Sequence, residues 1–234
     1  MIFFDAHAHV YPEYGMDLFF SSLLAEANRR APGASCIAAA VMLRSFQHSL
    51  ADVFASAGKC KEWSLDPPAA TGAPWTARKR DGAQILLFPA RQVAAAERLE
   101  LLGYFGEALV PDGLPLKETA RRLADSGFAV ALAWGRGKWL LKRAKIVADF
   151  LSDPAMSAIA PFVCDCALRP WFWPEPLFAL ARKRGFRIIS GSDPLPGKGN
   201  ERNAGRKAML LDAPPACSPD DLLQALNASD SSTK

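Results

Sequence analysis

Apolar positions recur along this chain in two rhythms. Short unbroken apolar runs read as buried strands, and stretches with an apolar residue every three or four positions read as amphipathic helices. Unbroken runs cover 1–8, 35–43 (SCIAAAVML), 83–89 (AQILLFP), 128–134 (FAVALAW), 160–165 (APFVCD) and 186–191 (FRIISG), with shorter candidates at 61–64 and 207–211. Helical spacing covers 15–30, where Leu18, Phe19, Leu23 and Leu24 share a face before Pro32 and Gly33 close the segment. It covers 116–126, closed by Gly127; 138–152, with Leu141, Ile146, Val147 and Phe150 inward; and 174–184, stopped by Gly185. Shorter helices are expected at 48–58 and 219–227, and 94–103 reads as helix or turn. The stretch 65–82, rich in proline, glycine and charge, reads as a loop, as does 194–206 (PLPGKGNERNAGR), an exposed connection of the kind that can also lie over a ligand.

Strand and helix in alternation predict a parallel sheet with right-handed crossovers. Strands that are apolar throughout fit a sheet covered on both faces. No glycine-rich phosphate loop follows the first strand, which favours a closed or nearly closed barrel over an open doubly wound sheet. The expected organisation is one α/β barrel over 1–212, then a 213–234 extension with a short helix and a disordered polar tail.

Composition narrows the class without naming a function. The 234 residues are 50% hydrophobic and 22% charged, ordinary for a globular chain with a substantial core. A net charge of +4 is mostly solvated surface, and it is compatible with an anionic ligand. No run of about 18 apolar residues occurs and the start MIFFDAH lacks a basic leader, so neither a membrane span nor a signal peptide is expected. Cys36, Cys60, Cys164, Cys166 and Cys217 form no paired zinc spacing, and an odd, scattered set points to reduced thiols in the cytoplasm. The run Arg78-Lys79-Arg80 reads as a solvated loop, and nucleic acid is not an expected partner.

The chemistry concentrates at Asp5-Ala6-His7-Ala8-His9. On a regular strand, positions i, i+2 and i+4 share a face, which would set Asp5, His7 and His9 on one side and Ala6 and Ala8 on the other. Two imidazoles and a carboxylate are a start on a divalent metal site, and two of the chain's three histidines sit here. Active residues of α/β barrels come from the C-terminal ends of strands. That rule selects Arg91 and Gln92, Glu107, Trp134 with Arg136 and Lys138 after it, Asp165 with Arg169 after it, and Ser190-Gly191-Ser192-Asp193. Asp193 is the strongest partner for the histidines, because first and last strands of a closed barrel are neighbours. Trp134, Trp139, Trp171 and Trp173 read first as packing, although Trp171-Phe172-Trp173-Pro174 beside a strand end can also wall a pocket.

His-x-His on the first strand with Ser-Gly-Ser-Asp on a late one resembles the PHP (polymerase and histidinol phosphatase) superfamily of metal-dependent phosphoesterases, over roughly residues 1–200. The resemblance implies a distorted (β/α)7 TIM-like barrel and a site of two or three divalent ions. His7 and His9 match the family's opening pair, and Asp193 matches the aspartate of its closing Gly-Ser-Asp-x-His. The chain departs from the pattern in four places. Leu195 stands where the closing histidine falls, Gln92 where a bridging carboxylate is expected, and Trp134 at the place of a His-Pro histidine; His48 is not at the family's spacing after the second strand. The implied centre is therefore reduced to a single ion, zinc or manganese, on His7, His9 and Asp193, with Asp165, Glu107 or His48 completing the shell. The implied chemistry is hydrolysis of a small anionic substrate, a phosphate ester. Asp193 or Asp165 would take the proton of water, and Arg91, Arg136, Lys138 and Arg169 would hold the ester. Arg169 is equally readable as a structural partner of Asp165, Arg136 and Lys138 as caps on surface carbonyls, and His48 as a surface residue. Two other readings stay open: a barrel that kept the fold and lost the ions to become a binding or scaffold protein, and a mononuclear amidohydrolase-like enzyme acting on a C–N or C–O bond.

Overall fold

The computed structural model describes residues 1–44, 46–70, 73–212 and 218–229. Cys217, part of the 65–82 loop and the last five residues of the tail lie outside the described residues. The elements run β1 (Ile2–Ala8), α1 (Met16–Arg30), β2 (Cys36–Leu43), α2 (Leu50–Ser56), β3 (Trp63–Asp66), β4 (Trp75–Lys79), β5 (Gln84–Ala94) and β6 (Glu100–Tyr104). They continue with α3 (Leu116–Asp125), β7 (Ala129–Ala133), α4 (Lys142–Leu151), α5 (Pro154–Ile159), β8 (Phe162–Cys166), α6 (Pro176–Lys183), β9 (Arg187–Gly191), β10 (Met209–Leu211) and α7 (Pro219–Ala228). The fold is α/β, a distorted (β/α)7 TIM-like barrel.

The sheet order is β10-β1-β2-β5-β6-β7-β8-β9, with β3 and β4 as a hairpin on the edge of β5. β1, β2 and β5 pair parallel, as do β7, β8 and β9. The two ends of this order approach each other: the backbone N–H just beyond β9, on Asp193, donates to the carbonyl of His7 at 2.7 Å. β10 lies antiparallel on β1, Ile2 opposite Leu211, and occupies the seam. No helix among the described residues is long and apolar enough to cross a membrane.

Three segments differ from the sequence expectation. The 94–103 stretch is neither helix nor simple turn: β5 runs on to Ala94, the chain reverses with Arg98 at φ 61°, and β6 returns antiparallel to β5 and β7. AAAERLE is composed of strong helix formers, so local propensity points away from the hairpin that tertiary pairing imposes. The 65–82 loop holds β4 and the end of β3, whose pattern alternates; Trp75 and Ala77 pack inward while Arg78 bonds Asp66 outward. Finally, α4 begins at Lys142, and Leu141, expected on its inner face, is 91% exposed at φ 56°.

Apolar packing falls in three layers. Alternate residues of the barrel strands, among them Phe4, Ala38, Phe88, Leu102, Ala131, Phe162 and Ile189, fill the interior, and α7 adds Leu222 and Leu226 to the same cluster. The opposite residues of β1 and β2 pack on α1 through Phe3, Phe19, Phe20 and Val41, and those of β6 to β8 pack on α3, α4 and α6 through Leu101, Val130, Val163, Phe150 and Phe178. Strands sandwiched this way bury both faces, which is why they appear as unbroken apolar runs.

Candidate metal centre

The first strand does not keep the regular pleat through its polar end. Its register against β2 shifts between Asp5 and Ala8, a β-bulge. As a result Ala6 joins Phe4 in the interior cluster while Ala8 joins Phe3 in the outer one. Asp5 and the histidines are separated in the same way, which corrects the expectation of one shared face. The Asp5 carboxylate, fully buried, accepts from the backbone N–H of His7, the N–H and hydroxyl of Ser192 and the N–H of Gly205, at 3.1, 2.8, 2.5 and 3.0 Å. Burial raises its pKa, against the pull of those four donors. Asp5 ties β1 to the segment carrying Asp193.

His7 and His9 meet at the mouth. Their Nε2 atoms are 3.1 Å apart, and each faces Gln92 Oε1, at 3.1 Å for His7 and 2.8 Å for His9. Asp193 Oδ1 lies 3.7 Å from both Nε2 atoms. Asp193 sits at φ 47°, an uncommon conformation for a non-glycine residue, and its partly exposed carboxylate closes the group from the β9 side. Burial, reinforced by the His7 ring and Arg44, lowers His9 to about 3 against the opposing pull of Asp193 and Gln92, so its imidazole is neutral at pH 7. Burial would raise Asp193, but the two imidazoles, the Cys166 thiol and Lys138 outweigh it and hold the carboxyl below its usual value. The Cys166 thiol itself is pushed well up, by burial first and then by Asp193, so it is no nucleophile.

The other expected site residues are dispersed. Lys138 is at the mouth, paired with Glu100 and close enough to act on Asp193. Arg136 is exposed and lines an apolar cleft of about 280 Å³ with Trp134, Trp139 and Trp173; the Trp134 indole donates to Glu175 at 2.9 Å. Trp171, by contrast, is 92% exposed. Arg91 is buried, and its terminal nitrogens donate to the carbonyls of Arg44, Gln47 and Glu107. Asp165 and Arg169 pair at 2.8 and 2.5 Å, and Lys207 joins Asp165 at 2.5 Å; these three line a crevice away from the histidines. Glu107 follows the C-terminal end of an antiparallel strand, which points away from the mouth, and its side chain is exposed. His48 is exposed beyond β2, and Leu195 is exposed, its carbonyl accepting from Tyr14 at 2.6 Å. Two mouth residues were not selected from sequence. Glu100 was missed because the reversal of β6 puts its first residue at the mouth. Arg44 follows β2, stacks over Tyr11 and Phe46 at 5.0 and 4.7 Å, and projects positive charge toward His9.

The donor set fits a small divalent cation. Ligand atoms 2.0–2.1 Å from a tetrahedral ion are about 3.3 Å from one another. The separation of the two imidazole nitrogens, and of each of them from the Gln92 oxygen and the Asp193 oxygen, runs from 2.8 to 3.7 Å and brackets that value. Mixed nitrogen and oxygen donors suit zinc or manganese. The support behind them is thin on one side: among the described residues, His7 Nδ1 has no hydrogen-bond partner, whereas a ligating imidazole ordinarily donates from its second nitrogen.

No family model matches the sequence, and no curated protein matches it. Solved structures do resemble it. PsfC from Pseudomonas syringae PB-5123 superposes with a TM-score of 0.56 at 13% identity, over 96% of this chain and 88% of that one. The lesion-specific endonuclease PfuEndoQ from Pyrococcus furiosus superposes at 0.54 and 12%, over 97% of this chain and 56% of that one. A two-domain protein from Bacteroides vulgatus, described as containing a predicted PHP-like metal-dependent phosphoesterase, is looser, at 0.47 and 11%, over 96% and 62%. What the first two share with this chain at such identity is the fold. Fold and side chains together define an α/β barrel with a His-His-Asp constellation at its mouth.

Proposed function

We propose that this chain is a PHP-like metal-dependent hydrolase, acting on a small phosphate ester at a reduced, single-ion centre. The observation that carries the reading is the convergence of His7, His9 and Asp193 at the mouth, with Gln92 Oε1 within 3.1 Å of both imidazole nitrogens. A divalent ion held there supplies Lewis-acid charge that polarises a phosphoryl oxygen and acidifies water. The chain's own part is positional. Neutral His9 offers its lone pair at pH 7 without first losing a proton. Asp193, kept ionised below its usual range, accepts a proton at its carboxylate. Lys138 and Arg44, both at the mouth, hold the ester's negative charge, and the buried Arg91 holds the surrounding loops in place. The three mouth residues of this set that motif matching supplies are His7, His9 and Asp193.

One observation favours the scaffold reading, in which the barrel has lost its ion: among the described residues His7 Nδ1 has no partner, and the two Nε2 atoms bond each other and Gln92. Metal analysis separates the two. Close to one equivalent of zinc or manganese in the purified protein, lost in His7→Ala and Asp193→Ala together with hydrolysis of p-nitrophenyl phosphate, supports the hydrolase. A metal-free protein with no affinity for either ion sinks it.

A further inference from the structure

Outside the barrel, where β10 fills the seam beside β9, lies a crevice of about 250 Å³ that the hydrolase reading leaves unused. Its polar walls are Arg30, Arg169, Arg182, Lys207, Ser190 and a single carboxylate, Asp165. Even without Arg182, three cations face one anion, so these walls carry a net charge of two in a concave, half-enclosed space.

The internal ion pairs do not exhaust that charge. Arg169 clamps Asp165 through Nε and Nη2 and sends Nη1 to the carbonyl of Trp173. Lys207 donates to the same carboxylate and to the carbonyl of Cys166. An arginine has five N–H donors and a lysine three, so both retain donors after these bonds. Arg30 is anchored by the carbonyls of Gly205, Arg206 and Ala208 and by the Phe3 ring, which fixes its charge in the wall without neutralising it. Like charges gathered where water is partly excluded repel one another strongly, and an anion relieves that repulsion. Planar guanidinium groups beside an ammonium and a hydroxyl match the tetrahedral oxygens of phosphate. The crevice is too small and too concave for a polymer backbone to run along it.

We infer that this seam crevice binds a small phosphate-type dianion, either free phosphate or the phosphoryl end of a small ester. The site is independent of the histidine centre, because Asp165 and its cations turn outward while His7, His9 and Asp193 gather at the mouth.

Calorimetric titration of the full-length protein with inorganic phosphate, and separately with phenyl phosphate, at constant ionic strength tests this. A saturable site besides any at the histidine centre is expected, with affinity falling at least tenfold in Arg182→Gln and Lys207→Gln and unchanged in His7→Ala. Tighter binding of phenyl phosphate than of phosphate marks an ester as the ligand, and the reverse marks the free ion. Absence of saturable binding, or binding lost in His7→Ala and intact in both crevice variants, overturns the inference. Should Lys207→Gln fail to fold, Arg30→Gln takes its place, and a phosphate affinity unchanged in that variant overturns the inference.

Discussion

Gly191 presses so closely on His7 that a Cβ on the glycine would lie 2.2 Å from the histidine's backbone nitrogen. This contact explains the Gly-Ser-Asp motif in physical terms. The glycine lets β9 approach β1, Ser192 bonds the buried Asp5, and Asp193 then arrives beside the imidazoles.

Gly191→Ala should therefore destabilise the protein by about 3 kcal/mol, the upper end of the usual cost of overpacking, because the obstacle is backbone that cannot rotate aside. Urea unfolding measures it; a midpoint equal to wild type would show that the two strands are not in contact.

Gln92 places a neutral oxygen where a charged one would bind a cation more strongly. Gln92→Glu is expected to tighten zinc or manganese binding at least tenfold, read by competition with a chromogenic chelator. An unchanged affinity would place Gln92 outside the coordinating group.

The pH dependence follows from His9. Its ordinary pKa of 6.5 is lowered to about 3 by burial, so between those values the unfolded chain holds the extra proton and the folded chain does not. The stability of the chelator-treated protein should fall as pH drops from 6.5 toward 3, and this contribution is fully present above 6.5. Unfolding midpoints of wild type and His9→Asn should converge as pH falls from 7 to 5; a constant difference between them contradicts the assignment.

Leu141 holds φ 56° and ψ −128°, a region suited to glycine, with its side chain in water. Leu141→Gly should raise stability by about 1 kcal/mol, relief of strain outweighing the added freedom of the unfolded chain. A lower melting temperature in the variant would refute this.

The strands were legible because each is a short apolar run buried on both faces, and the meeting of His7, His9 and Asp193 in space was legible because strand-end placement and barrel closure follow from element order. Other features depend on geometry that no local pattern carries. The bulge after Asp5 is a single-residue event in an otherwise regular strand, and it alone parts Asp5 from the histidines. The reversal of β6 is disguised by helix-forming residues, and it exchanges Glu107 for Glu100 at the mouth. Asp165 and Arg169 stand at a strand end, as expected, but the pleat of β8 turns Cys164 inward and Asp165 outward, toward the seam.

Strand β1 receives its outer neighbour from Met209–Leu211 and its mouth-side partner from Asp193, both remote along the chain. Such distant pairings close late and slowly. During synthesis the histidine strand must wait, flanked on one side only, until nearly every other element has emerged from the ribosome. Lesions in residues 187–211 should therefore fray the strand that opens the sequence while leaving the helices between them largely in place.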